Sequence, residues 1–178
     1  MKIFVISGKA ETGKNKVATL LKEIYEQKNK KTVNVAYASY LKEYAKNILN
    51  WDGNEASKPR DFLQYLGIDI IKNQIDNKML IRRIIEDIKV YSNYFDVVTI
   101  SDARFKEEIE DIKNIFHDVI TIHILEKENS LTEVQKNHIT EIALDGYQNY
   151  DYEISNKGTV EELKKLLQQI INEVDNNE

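Results

Sequence analysis

Lys2-Ile-Phe-Val-Ile-Ser7, running without a break into Gly8-Lys-Ala-Glu-Thr-Gly-Lys14-Asn15, is the stretch on which the fold turns. The first six residues are mostly apolar and rich in β-branched side chains, as a buried strand requires. The next eight match Gly-x4-Gly-Lys-[Ser/Thr] in all but the last letter. In that pattern backbone N–H groups gather around phosphate oxygens and the Lys ammonium reaches the outer phosphates. Val17, Leu20, Leu21 and Ile24 then recur at helical spacing, so the loop joins a strand to a helix, the context such a loop needs. Gly8, Lys9, Ala10, Glu11, Thr12, Gly13, Lys14, Asn15 and Lys16 are the candidate nucleotide-phosphate contacts, with Lys14 also a candidate catalytic group. Asn15 stands where a Ser or Thr hydroxyl would ligate Mg²⁺, so its amide oxygen must serve or the metal must be held elsewhere. The competing interpretation is a glycine-containing β-to-α turn that binds nothing.

Composition narrows the classes. At 178 residues one α/β domain is expected, able to bury about 70% of its unfolded surface without staples. There is no cysteine, which removes disulfides, thiolate nucleophiles and Cys-based metal sites and fits a reducing cytoplasm. No apolar run approaches the roughly 20 residues of a membrane span, and no export signal is recognised after Met1, so a soluble, cytoplasmic protein without membrane partners is expected. The net charge of −5 is spread over interspersed acids and bases, which leaves no footprint for a polynucleotide. Lys28, Lys30 and Lys31 read either as the solvated end of a helix or as a basic patch, the first being the ordinary outcome. A homodimer is compatible with the sequence.

Apolar, β-branched runs recur at residues 2–7, 32–38, 96–101, 118–124 and, more weakly, 151–155, separated by helical segments. Such alternation predicts a parallel sheet with helices on both faces. The longest insertion, residues 39–95, reads as helices marked by Leu41, Ala45, Ile48 and Leu49, then Phe62, Leu66, Ile70 and Ile71, then Leu80, Ile81, Ile84, Ile85 and Ile88. Pro59 separates the first two. The last helix opens on Thr159 with Glu162 at capping-box spacing, and Val160, Leu163, Leu166, Leu167 and Ile170 form its apolar stripe.

The third run ends in Ser101-Asp102-Ala103-Arg104-Phe105, on the strand edge where open α/β sheets bind ligands. Asp102 is a candidate Mg²⁺ holder and Arg104 a candidate for the reacting phosphates. Alternatively, Asp102 caps a helix starting near Phe105 and Arg104 is its surface partner. Of only four arginines, Arg82 and Arg83 are explained by i+4 pairing with Glu86 and Asp87, whereas Arg60 is not. A segment over the phosphates at 125–140 would have to use Lys127 or Lys136, because no arginine follows Arg104. His138 and Glu141 lack a third metal ligand at recognisable spacing and are read as local hydrogen bonding.

The loop at Ser7–Asn15, Ala36-Tyr-Ala-Ser-Tyr-Leu-Lys42, Pro59-Arg-Asp-Phe-Leu-Gln-Tyr-Leu-Gly-Ile-Asp69 and Ile100-Ser-Asp-Ala-Arg-Phe105 together resemble P-loop nucleoside monophosphate kinases, in particular the deoxynucleoside monophosphate kinases of bacteriophages and bacteria. In that group Asp often follows Gly-Lys, and Asn15 is its isostere. The resemblance implies a three-layer α/β P-loop NTPase fold with a five-stranded parallel sheet and a helical acceptor-binding insertion at 39–95. It implies ATP and Mg²⁺ as cofactors, and transfer to a nucleoside monophosphate held by Lys42, Arg60, Gln64, Asp69 and Arg104. His138-Ile-Thr-Glu141 and Asn156-Lys-Gly-Thr159 also resemble the group, which implies a lid region for the former, beside a lid-like segment at 125–140, and a place near the adenine for the latter. Ile68 stands where the group has Thr, Lys72 where Arg is usual, and Leu125 at a strand end where Arg is frequent. Two alternatives follow: a kinase of a small phosphorylated metabolite, of phosphomevalonate or dephospho-coenzyme A type, and a catalytically weak nucleotide-binding protein.

Overall fold

All five apolar runs form strands, and all pair in parallel. In the computed structural model, which describes residues 1–125 and 132–176, β1 (Lys2–Ser7), β2 (Thr32–Val35), β3 (Val97–Ala103), β4 (Val119–Ile124) and β5 (Tyr152–Ile154) lie in the order β2-β3-β1-β4-β5. β1 is therefore central, with β3 on one side and β4 on the other. Both of its faces must be covered, which is why its sequence is a nearly continuous apolar run rather than an alternating one.

Helices α1 (Lys14–Gln27) and α8 (Val160–Asn176) cover one face. There Phe4 and Ile6 pack with Val17, Leu20, Leu21, Ile24, Leu167 and Ile171. α4 (Met79–Tyr91) and α5 (Lys106–Ile115) cover the other, where Ile3, Val5, Val98 and Ile100 meet Ile81, Ile84, Ile88, Ile109 and Ile112. These are the three expected layers. The predicted capping box holds: Glu162 accepts from the Thr159 N–H at 2.7 Å, and the Glu162 N–H donates to the Thr159 hydroxyl at 3.2 Å.

The insertion contains α2 (Tyr37–Leu49), a 3₁₀ turn at Glu55–Ser57, α3 (Arg60–Tyr65) and a ten-residue π-helix, Leu66–Ile75, leading to α4. Leu41, Ala45, Trp51, Phe62 and Leu63 give it a small core of its own. Three expectations fail here. β2 stops at Val35 instead of residue 38, because Asp102 at the end of β3 accepts from the N–H groups of Tyr37 (2.9 Å) and Ala38 (2.9 Å) and starts α2 there. Ile48 and Leu49 are 58% and 46% exposed, so the buried stripe of α2 runs through Tyr37, Leu41 and Ala45 instead. The arginines of α4 also find different partners: Arg82 pairs with Asp76, and Arg83 donates to the Tyr44 hydroxyl at 3.0 Å and lies over the Tyr40 ring.

One irregularity positions the site. From Val5 to Ser7 on β1, the facing residues on β3 run from Ile100 to Ala103, one residue more. The bulge falls at Ser101 and Asp102, and bulges of this kind re-aim side chains at strand ends.

Phe4 is fully buried beneath α1, its ring 5.8 Å from that of Tyr25. Phe4→Ala is expected to cost about 3–5 kcal/mol in urea unfolding. A cost well under that range would mean that the layer carrying the phosphate loop repacks freely.

Candidate active site

The loop between β1 and α1 is held by its glycines. Gly8 (φ +142°) and Gly13 (φ +97°) both take backbone conformations that a Cβ disfavours. A Cβ on Gly8 would lie 2.8 Å from the Ile124 carbonyl oxygen, and one on Gly13 would lie 2.2 Å from the Asn156 amide nitrogen. Asn156 donates to the Thr12 carbonyl oxygen at 2.8 Å, which ties the segment after β5 to the loop. Thr12 is buried and donates to the Lys9 carbonyl oxygen at 2.9 Å, closing the turn from inside. Lys9 pairs with Asp145 at 3.4 Å. Glu11, in the left-handed region at φ +62°, Asn15 and Lys16 are exposed.

Lys14 is buried, and its ammonium donates to the carbonyl oxygens of Gly8 (2.7 Å) and Lys9 (2.6 Å). Burial, and then the Arg104 charge, push its pKa down to about 7, while Glu141 and Asp102 work in the opposite direction. A phosphate placed here would supply the negative charge that favours the ammonium form.

Asp102 uses one carboxylate oxygen for each of the first two N–H groups of α2. The capping alternative is therefore realised, but on α2 and not on the helix after Phe105. Burial raises its pKa, and the two N–H bonds, Arg104 and Lys14 oppose that rise. α5 is capped by Glu108, whose carboxylate accepts from the N–H groups of Arg104 (2.6 Å) and Phe105 (3.0 Å). The Arg104 side chain reaches across to Glu141 at 2.7 Å, and Glu141 accepts in turn from the Ala10 N–H at 2.6 Å. Glu141 lies on α7 (Ile139–Ile142), which follows α6 (Glu133–Lys136).

These groups face a cavity of about 600 Å³. At one end its wall is Ala10, Lys14, Asn15, Asp102, Arg104 and Glu141. At the other, α2, α3, the π-helix and α4 supply Leu41, Leu63, Ile68, Ile71, Leu80 and Ile81, with the amides of Gln64 and Asn77 among them. Lys42, Lys58, Arg60 and Lys72 also line it. Glu55 holds both Lys42 (3.2 Å) and Lys58 (3.1 Å), and the Lys72 ammonium sits 3.8 Å from the centre of the Phe105 ring. Asp69 is exposed and lies off this wall, unlike Lys42, Arg60 and Gln64.

Of the segment expected to cover the phosphates, Lys127 lies outside the described residues. Lys136 pairs with Glu133 at 3.0 Å and is not on the cavity wall. His138 caps α7, its Nδ1 accepting from the Thr140 N–H at 3.3 Å. The local reading of His138 fits this geometry. For Glu141 it fails, because its partners, Ala10 and Arg104, are distant in sequence and no local pattern announces them. Glu108 stands three residues after Phe105, the spacing of a helix-capping acid, and this spacing is the one local signal in the sequence for its role.

Among the described residues, no group of three or more His, Cys, Asp or Glu could hold a metal. Mg²⁺ does not require one, because it keeps several waters and takes one or two protein oxygens beside the phosphates. The Asn15 amide oxygen and the remaining lone pairs of Asp102, both on the cavity wall, fit that need.

A phosphate-type loop after the central strand, with a second wall of inserted helices across the cavity, is the construction of a P-loop kinase. Solved structures agree on the fold. The APS kinase of Mycobacterium tuberculosis, in complex with AMPPNP and APS, matches with a TM-score of 0.57 at 14% identity, over 96% of this chain and 97% of that one. A gluconokinase from Sinorhizobium meliloti gives 0.57 at 12% identity over 98% and 94%. Shikimate kinase from Aquifex aeolicus gives 0.51 at 16% over 97% and 96%. No curated protein matches the sequence. The family is narrower than the fold: the deoxynucleotide monophosphate kinase model matches residues 22–167, most of the chain, and the protein belongs to that family. The match begins beyond the phosphate loop, so loop and family are independent indications.

Among the described residues no helix is long and apolar enough to cross a membrane.

Burial, and next the Asp102 charge, push Glu108 up to about 8 from its ordinary 4.5. Between those values the native state keeps a proton that the unfolded chain releases, so this group makes stability fall as pH rises from about 4.5 to 8. Glu108→Gln is expected to flatten that fall in urea unfolding across the window. An unchanged pH profile would mean that Glu108 is ionised throughout.

Proposed function

We propose that the protein transfers the γ-phosphoryl group of ATP to a nucleoside monophosphate, with a deoxynucleotide as the natural acceptor. The observation that carries this reading is the single cavity that joins the phosphate loop to the apolar, amide-bearing wall of the inserted helices. Its volume of about 600 Å³ lies within the range of small-molecule sites. Its two ends differ as a phosphate and a base differ. Family membership supports the acceptor class.

In this reading the loop amides and the Lys14 ammonium bind the donor's outer phosphates, and Asn156 sets the side of the loop nearest the adenine. An acceptor phosphate oxygen attacks the γ-phosphorus in line as the bond to the β–γ bridging oxygen breaks, and no covalent enzyme intermediate forms. Lys42 and Arg60 hold the acceptor phosphate, Arg104 stands between it and the terminal phosphate of the donor, and Gln64 reads the base from between Leu63 and the π-helix. Asn15 and Asp102 hold Mg²⁺, which when bound neutralises charge shared by the phosphates. Catalysis consists of placement and fixed charge. The protein is proposed to act as a soluble, cytoplasmic enzyme.

The test is ADP release with Mg-ATP against ribo- and deoxyribonucleoside monophosphates, with phosphomevalonate and dephospho-coenzyme A in the same panel. A deoxynucleotide is expected to give the strongest response. A response only to the metabolites would move the acceptor assignment. Silence throughout, with ATP still bound, would indicate a nucleotide-binding protein without transfer. Lys14→Ala is expected to lower kcat by roughly 10²-fold or more, as loss of a donor to developing charge does elsewhere. Unchanged turnover would remove the loop from the mechanism.

A further inference from the structure

Glu141 is only 8% exposed, although it sits on a four-residue helix at the rim of the cavity. One of its oxygens accepts from the Ala10 N–H at 2.6 Å, and the other from the Arg104 guanidinium at 2.7 Å. Arg104 is further steadied by the Thr140 carbonyl oxygen at 3.4 Å. A buried carboxylate held by a loop amide and a guanidinium satisfies the same donors that an anionic ligand would use.

The position identifies which anion. The lysine of this loop type reaches the outer phosphates of a nucleotide. Here the Lys14 ammonium rests against the carbonyl oxygens of Gly8 and Lys9, and the Lys9 carbonyl belongs to the same peptide unit as the Ala10 N–H. Ala10 therefore lies at the outer-phosphate end of the loop, and Arg104 faces it from β3. Glu141 also adds to the negative potential felt by Lys14, as a phosphate oxygen would.

We propose that Glu141 is an internal competitor for the terminal phosphate of the nucleoside triphosphate, holding Ala10 and Arg104 until that phosphate displaces it. The proposal rests on the nucleotide-binding half of the kinase reading and adds a residue that sets the relative hold on tri- and diphosphate. A triphosphate must break both Glu141 contacts to gain the loop amide and the guanidinium. A diphosphate can bind Lys14 and the helix end of the loop while Glu141 stays in place. Once the terminal phosphoryl group has moved to the acceptor, the carboxylate can reclaim Arg104.

Calorimetric titration of the full chain with a non-hydrolysable ATP analogue and, separately, with ADP tests this, with Mg²⁺ present and no acceptor. Glu141→Gln keeps the shape and removes the charge. It is expected to bind the triphosphate analogue roughly tenfold more tightly, with ADP affinity changed less than about twofold. Glu141→Ala, checked for folding by its thermal transition, should move the same way. Equal changes for both nucleotides, or weaker binding of the triphosphate, would show that Glu141 only braces the loop and would overturn the proposal. Failure of wild type and variants alike to bind either nucleotide would overturn it together with the kinase reading. The expected shift without transfer to any nucleoside monophosphate would sustain it while removing the acceptor assignment.

Discussion

The Asp102 carboxylate, fixed between the end of β3 and the first turn of α2, is the contact on which the cavity depends. Two N–H groups at a helix start are orphan donors that need an acceptor, and the helix dipole favours a negative one. By supplying it, Asp102 halts β2 at Val35, sends the chain into the inserted helices, and places its own charge near Lys14 and Arg104. The acid is half-buried, and the bonds that orient it also offset part of the desolvation that raises its pKa. One side chain thus joins the sheet, the insertion and the charge balance of the site.

That balance extends through the rest of the loop end. Lys14 and Arg104 are cations in close quarters, and each lowers the cost of burying Asp102 and Glu141. Removing one member leaves the others underpaired, which generally costs more than the pair contributes. The helical wall follows the same rule at a more exposed level, with Glu55 pairing with both Lys42 and Lys58. Several cations of the cavity wall thus already have acidic partners: Arg104 has Glu141, and Lys42 and Lys58 share Glu55.

Elements set by local pattern were legible in the sequence. The strand, loop and helix at Lys2–Gln27, the five strands, the heptad-like stripe of α4 and the Thr159–Glu162 box all follow from periodicity or capping chemistry. Features set by distant partners were not. The residues after Val35 carry strand-like and helix-like signals together, and Asp102, far along the chain, decides between them. Ile48 and Leu49 fit an apolar period that the turn of α2 places in solvent. Arg104 stands at a strand end, which is a specific address, whereas no local spacing pairs it with Glu141, 37 residues further on.

The π-helix at Leu66–Ile75 has a consequence for how this wall can change over time. Ten consecutive residues wound in the wider turn are unusual, since such winding mostly appears as single turns. The stretch is one residue per turn away from rewinding as an ordinary helix. A single-residue deletion here would invite that rewinding and rotate Ile71 and Lys72 off the cavity wall without removing either. Substitutions in this segment can be absorbed one side chain at a time. Changes in its length cannot, so the number of residues between Gln64 and Asn77 is itself a constraint on the shape of the cavity wall.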